Sequence, residues 1–143
     1  NCGGFQHMLL EYARNVCGLT QADHEETNPN AAHPLISRLS CSLVGEEEPV
    51  QIIDHESILY QLLASDQLTG RYYCRYGLNP EHVDRLAACG LMFTAKSTTG
   101  EIRGFELRNH PFYLGTLFQP ALTSTADEPN PILVGFAKAC VRS

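Results

Sequence analysis

Apolar residues recur three or four positions apart at Phe5, Met8, Leu9, Tyr12 and Val16, and Gly18 follows them. That spacing lines one face of a helix and the glycine ends it, so a helix over about residues 4 to 17 is expected. Ala22 to Asn30 is polar and closes on turn formers, as a loop does. Pro34 to Ile36 and Leu39 to Val44 read as the start of a strand, the acidic Glu46-Glu47-Glu48-Pro49 as a solvated turn, and Val50 to Ile53 as the partner strand. Ser57 to Ala64 suits a short helix through Ile58, Leu59, Leu62 and Leu63, and the aromatic stretch Arg71 to Tyr76 reads as a strand. Asn79-Pro80-Glu81 opens a further helix, with Val83, Leu86 and Ala87 turned inward and Gly90 closing it. Strand signals follow at Leu91 to Ala95, Ile102 to Leu107 and Tyr113 to Phe118, the first two joined by a Thr98-Thr99-Gly100 turn. Pro131 to Val141 forms a closing helix. Helices and strands alternate without repeats, which predicts an α/β layer structure.

Composition narrows this picture. With 143 residues, 43% of them hydrophobic, the chain has apolar material for one core and too little length for two ordinary domains. A formal net charge of -6 lacks the basic surplus that neutralises a phosphate backbone, so no nucleic-acid partner is expected. No run approaches the ~20 apolar residues of a membrane span, and no basic segment leads into an apolar one at the N-terminus. A soluble protein with no membrane partner is expected. The six cysteines (Cys2, Cys17, Cys41, Cys74, Cys89 and Cys140) are spread without a C-x-x-C pair or a Cys/His cluster of zinc-ligand spacing. They read as scattered reduced thiols, in a cytoplasmic setting, with no metal and no cofactor.

One cysteine stands apart. Asn1-Cys2-Gly3-Gly4-Phe5-Gln6 places Cys2 directly before two glycines and a helix. A nucleophile elbow needs small residues for a sharp turn, a side chain projecting from it, and a helix N-terminus that favours thiolate. Backbone amides at Gly3 and Gly4 are then placed to receive a developing oxyanion. Against this stands a bland reading, a small core hydrophobe beside a glycine turn.

Four stretches in order support the chemical reading. Cys2-Gly3-Gly4-Phe5-Gln6 with Glu11 to Val16, the loop Ala22 to Pro29, Arg71 to Asn79, and His110 to Ser124 with Pro131 to Ala139 cover nearly the whole chain. They resemble the glutaminase domain of the CTP synthases, a branch of the class I glutamine amidotransferases. The resemblance implies a three-layer, flavodoxin-like α/β fold, with a mostly parallel sheet flanked by helices. It also implies that residues 1–143 are the C-terminal part of one such domain, starting at the elbow. The N-terminal half, which would supply the central strands, is then expected upstream, because a sheet lacking them exposes edges.

In the resembled family a Cys attacks the glutamine amide, a His handles the proton and a Glu orients the His. The nucleophile here is Cys2. The base position holds Gln119 and the orienting position Ala121, neither of which accepts a proton near neutral pH. Loss of a positioned base typically removes ~10²–10⁴-fold in rate. His7, His24 and His110 are candidate substitute bases, each also readable as an ordinary solvated, capping or structural histidine. The resemblance further implies that Gln6, Glu26, Arg71, Arg75 and Tyr76 bind an amide or amino-acid-like small molecule, with Glu26 on its amino group. Arg71 and Arg75 read equally well as strand-surface charges.

Three functions follow as expectations: an amidotransferase-like enzyme with altered proton handling, a catalytically silent binding or regulatory module, or a glutaminase subunit supplying ammonia to a separate synthetase. A homo-oligomer is compatible with all three.

Overall fold

The computed structural model describes residues 1–142. Its helices are α1 (Gly3–Asn15), α2 (Ile58–Leu63), α3 (Val83–Ala88) and α4 (Pro131–Arg142). Its strands are β1 (Ile36–Arg38), β2 (Glu47–Ile52), β3 (Gln67–Arg71), β4 (Tyr76–Leu78), β5 (Met92–Ser97), β6 (Ile102–Glu106) and β7 (Leu114–Thr116). Five strands form one sheet in the order β3-β2-β5-β6-β7, and β1 pairs with β4 in a second, smaller one. The α/β architecture matches the expectation. Every ladder among the described residues is antiparallel, and only the isolated bridge from His24 to Ile36 is parallel. The mostly parallel sheet expected of the class is therefore not among the described strands.

The core lies between α1 and the sheet. Phe5, Leu9 and Ala13 are fully buried on α1, and the Phe5 ring meets Phe105 on β6 with centroids 5.0 Å apart. All five residues of β6 are buried. Burial there includes a charge: Arg103 is 2% exposed and donates to Glu48 Oε1 at 2.6 Å and to Glu101 Oε2 at 3.1 Å, with its guanidinium 5.7 Å from the centre of the Tyr72 ring. A buried cation is tolerated when it is paired in this way.

The pairing explains one departure from the sequence reading. Glu47 to Pro49, expected as a turn, are the first residues of β2. Glu47 sits opposite Arg71 and binds its Nε at 2.5 Å, while Glu48 turns to Arg103. Two acids that look like a solvated run are each matched by an arginine far along the chain.

Other expectations are corrected similarly. Val50 to Ile52 pair with β3 and β5, not with residues 39–44. The expected strand over 71–76 is divided between the end of β3 and the start of β4. Between them, Tyr72 and Cys74 are buried and Tyr73 and Arg75 exposed, which is the alternation that reads as a strand. This stretch bonds irregularly to 39–46 instead, through Leu39 N–H to Arg75 O, Leu43 N–H to Cys74 O and Gly45 N–H to Tyr72 O. On α3 Leu86 is buried, but Ala87, expected inward, is exposed.

Glu106, on β6, accepts from the N–H groups of Ile58 (2.8 Å) and Leu59 (3.0 Å), while Ser57 Oγ accepts from Tyr60 N–H. Two of the amides that open α2 are thus satisfied from the sheet and one by its own cap. Burial pushes the Glu106 carboxyl above its usual value. The helix α4 packs on α2.

Gly115 on β7 leaves no room for a side chain, since a Cβ there would clash with the edge of the Phe105 ring. Gly115→Ala is expected to lower stability by about 1–3 kcal/mol through overpacking, measured as an earlier midpoint in urea denaturation.

Candidate functional site

β7 ends at Thr116, and the Thr116 carbonyl accepts the Cys2 N–H at 3.1 Å. Cys2 then precedes α1, whose first bond runs from Gln6 N–H back to the Cys2 carbonyl at 3.1 Å. The backbone at Cys2 has φ 44° and ψ -112°. Positive φ is costly for a residue with a Cβ and persists only where surrounding structure imposes it. Gly3 and Gly4 do not share that conformation. Nothing lies within 4 Å of a Cβ built on either glycine, so the glycines leave open space at the helix head while the cysteine takes the sharp bend.

Cys2 opens on a cavity of about 280 Å³, walled also by Gln6, Glu26, Arg75 and Tyr76. That volume is near the lower end of small-molecule pockets. The wall offers one carboxylate and one guanidinium, opposite charges on one small space. Of the residues expected in the site, the fold gathers Cys2, Gly3, Gln6, Glu26, Arg75 and Tyr76 on this cavity.

Others lie elsewhere. Arg71 pairs with Glu47 and donates to the Leu122 carbonyl at 3.3 Å. Gln119 follows β7 and its N–H reaches the Arg71 carbonyl, but its side chain is not among the cavity walls. His7 is exposed on α1, and exposed His110 accepts from Phe112 N–H through Nδ1 at 3.2 Å. Ala121 is exposed in the short turn after Gln119.

His24 lies beneath the cavity, 5% exposed. Its Nδ1 accepts from the Glu26 N–H at 3.1 Å, which leaves Nε2 to carry the hydrogen donated to Gln6 Oε1 at 2.9 Å. Gln6 Nε2 in turn donates to the Tyr76 carbonyl at 3.0 Å. Both ring nitrogens are thus engaged in placing Gln6 and Glu26. Burial holds the His24 imidazole below its ordinary value, against the opposing pull of the Glu26 carboxylate. The loop that carries it is shaped by Asp23, which accepts from Asn28 Nδ2 at 2.7 Å and from His24 N–H at 2.9 Å.

Three wall residues were not singled out from sequence as site residues: Val44, Tyr73 and Cys74. The scattered-thiol expectation is corrected here: Cys2 and Cys74 form a disulfide across 72 residues of sequence. A linear reading of six scattered cysteines could not place Cys74 against Cys2. No group of three or more His, Cys, Asp or Glu side chains among the described residues is arranged to hold a metal ion. No described helix is long and apolar enough to cross a membrane.

In fold the chain is similar to class I glutamine amidotransferase-like domains. Within that class the chain resembles the glutaminase portion of CTP synthase along nearly its whole length. It is 37% identical to the CTP synthase of Aeropyrum pernix over 152 aligned residues, covering 99% of this chain and 28% of that protein. It is 33% identical to that of Archaeoglobus fulgidus, with the same coverage of 99% and 28%. The glutaminase domain of Trypanosoma brucei CTPS, solved with bound acivicin, superposes with a TM-score of 0.92 at 25% identity, covering 99% of this chain and 59% of that one. A GMP synthase protein of Thermoplasma acidophilum shares the fold at a TM-score of 0.54 and 15% identity, covering 75% of this chain and 48% of that one. No family model matches the chain. The chain thus spans under a third of the length of the curated relatives it matches.

The His24 bonds make two measurable statements. The imidazole should titrate below 6.5, the value of an unfolded histidine, when followed by NMR. Between those two values the unfolded chain binds more protons, so this contribution to stability is present above pH ~6.5 and lost as pH falls through the folded value. His24→Ala strands Gln6 Oε1 and the Glu26 N–H, and should cost about 1–3 kcal/mol in denaturant unfolding.

Proposed function

We propose that the chain is the nucleophile-bearing part of an amidotransferase-like enzyme that attacks the side-chain amide of glutamine or a close analogue with Cys2. Residues 1–143 then form the C-terminal part of one domain, completed by an upstream half, and the elbow is its catalytic centre. The observation that carries this reading is the positive φ of Cys2 beside a cavity holding Gln6, Glu26 and Arg75. A free amino acid is a zwitterion: Glu26 suits its ammonium and Arg75 its carboxylate, by charge-assisted hydrogen bonds. Gln6, oriented by His24 and Tyr76, suits the side-chain amide, and the Gly3 N–H, which has no intrahelical acceptor, suits the oxyanion. CTP synthase relatives and a glutaminase domain solved with acivicin support the same substrate class.

Proton handling is where the site departs from the family. His24 has both nitrogens committed to hydrogen bonds, so it acts as a positioning residue in this reading. Attack then relies on the ionisation of Cys2 itself, favoured at a helix N-terminus, and proceeds slowly for want of a positioned base.

A second reading, a silent glutamine-binding module, is favoured by Gln119 standing off the cavity and by the engagement of Cys2 with Cys74. Treatment of the reduced full-length protein with a diazo-ketone glutamine analogue separates the two. Covalent labelling at Cys2, mapped by mass spectrometry and abolished in Cys2→Ala, is expected. Binding of glutamine without labelling would instead establish the silent module. The double substitution Gln119→His with Ala121→Glu, assayed for glutamate release, asks whether these two positions can serve Cys2 although Gln119 is not among the cavity walls.

A further inference from the structure

The disulfide joins Cys2, the residue expected to do chemistry, to Cys74, which was not among the residues expected in the site. The Cys2 and Cys74 Cα atoms are 6.2 Å apart, inside the ~4.4–6.8 Å that a disulfide spans. Both residues stand on the same cavity wall, with unequal access. Cys74 is 3% exposed, whereas Cys2 is partly exposed at the helix head. Neither backbone has to move for the sulfurs to meet. Cys2 is held by Thr116 O and by the start of α1, and Cys74 by the Leu43 N–H on its carbonyl at 2.9 Å. Cys17, Cys41 and Cys89 carry no disulfide.

We infer that Cys2 and Cys74 form a reversible thiol–disulfide site, in which Cys2 meets the oxidant and Cys74 resolves the product. The oxidant is a hydroperoxide, of which hydrogen peroxide is the simplest. The Cys2 thiolate attacks one peroxide oxygen, the O–O bond breaks, and Cys2 becomes a sulfenic acid while the departing hydroxide takes a proton and leaves as water. The Cys74 thiolate then attacks the Cys2 sulfur. The S–S bond forms as the S–O bond breaks, and the hydroxyl leaves with a proton as a second water. Two thiols and one hydrogen peroxide give one disulfide and two waters. An external dithiol returns both residues to thiols by two exchange steps and is itself oxidised to a disulfide.

The pairing has two consequences. While it stands, the Cys2 sulfur has no thiolate to offer an amide, so any acyl chemistry at the elbow is off. The same bond keeps Cys2 from climbing to the sulfinic acid, which ordinary thiols do not reverse. The partly exposed position of Cys2 beside a buried partner fits a reversible, redox-sensing disulfide. The inference goes beyond the amidotransferase reading and does not need it, since it asks only that Cys2 be reached by peroxide and Cys74 lie beside it.

The test reads thiol chemistry, not turnover, so a chain that hydrolyses no glutamine still decides it. The reduced full-length protein is treated with one equivalent of hydrogen peroxide, alkylated with iodoacetamide and digested without reductant. The expected result is a cross-linked Cys2–Cys74 peptide, an intact mass lower by two hydrogens, and full return of Cys2 alkylation after dithiothreitol. With hydrogen peroxide in excess, so that a second peroxide can oxidise the sulfenic acid, Cys2 should pass to sulfinic acid in Cys74→Ser and not return, while in the wild type it should stop at the disulfide. Circular dichroism confirms that this variant is folded, with Cys74→Ala in its place if it is not. Equal sulfinic acid formation in wild type and variant, a link from Cys2 to another cysteine, or an unmodified Cys2 would each overturn the inference.

Discussion

The hydrogen bond from the Cys2 amide to the Thr116 carbonyl governs how this molecule is built. It ties the end of β7 to the head of α1, so the sheet and its covering helix meet at a single backbone joint. Because α1 is also pinned by Phe5 on Phe105, the chain between the two anchors has little freedom, and the strain falls on one residue. That residue is a cysteine with φ 44°. Surrounding order sustains such a conformation, and it sets the cysteine side chain on the cavity wall against Cys74.

The same economy of anchoring runs under the cavity. Gln6 is one turn along α1, and its amide is clamped between His24 below and the Tyr76 carbonyl on β4. One imidazole therefore coordinates a helix residue and a loop residue, since its second nitrogen receives the Glu26 amide. A neutral histidine does this well because it has one donor and one acceptor at fixed angles, and burial keeps it neutral. The cavity walls thus come from α1, the loop after it, and the segment leading into β4, brought together by polar bonds rather than by apolar contact alone.

Charge pairing also decides part of the fold. Arg103 is buried in β6, and its two acidic partners, Glu48 and Glu101, come from β2 and the turn before β6. Without those partners a guanidinium at that depth would be prohibitive. Read along the chain, Glu46 to Glu48 signal solvent; read across the sheet, Glu47 and Glu48 are the complement of Arg71 and Arg103. Local charge density is a surface signal only when the opposite charge is not waiting on a neighbouring strand.

Much of this protein was legible from the residues in order. The stripe from Phe5 to Tyr12 placed α1, Ser57 and Asn79 announced the helix starts they cap, Gly100 marked the hairpin between β5 and β6, and the Cys2-Gly3-Gly4 run marked the turn into α1. These features depend on periods and turn chemistry within a few residues, which a linear string carries intact. Which strands pair, which face 72–75 adopts, and whether Arg71 or Arg75 reaches the cavity depend on distant partners, such as Glu47 for Arg71 and Leu39 for Arg75, where many alternatives have similar local propensity. The sequence by itself determined the helix with a cysteine at its head and the family that it resembles. Only tertiary structure decided that Cys74 would stand beside that cysteine and that His24 would hold Gln6, because both are distances between atoms far apart along the chain, and no local preference encodes a distance.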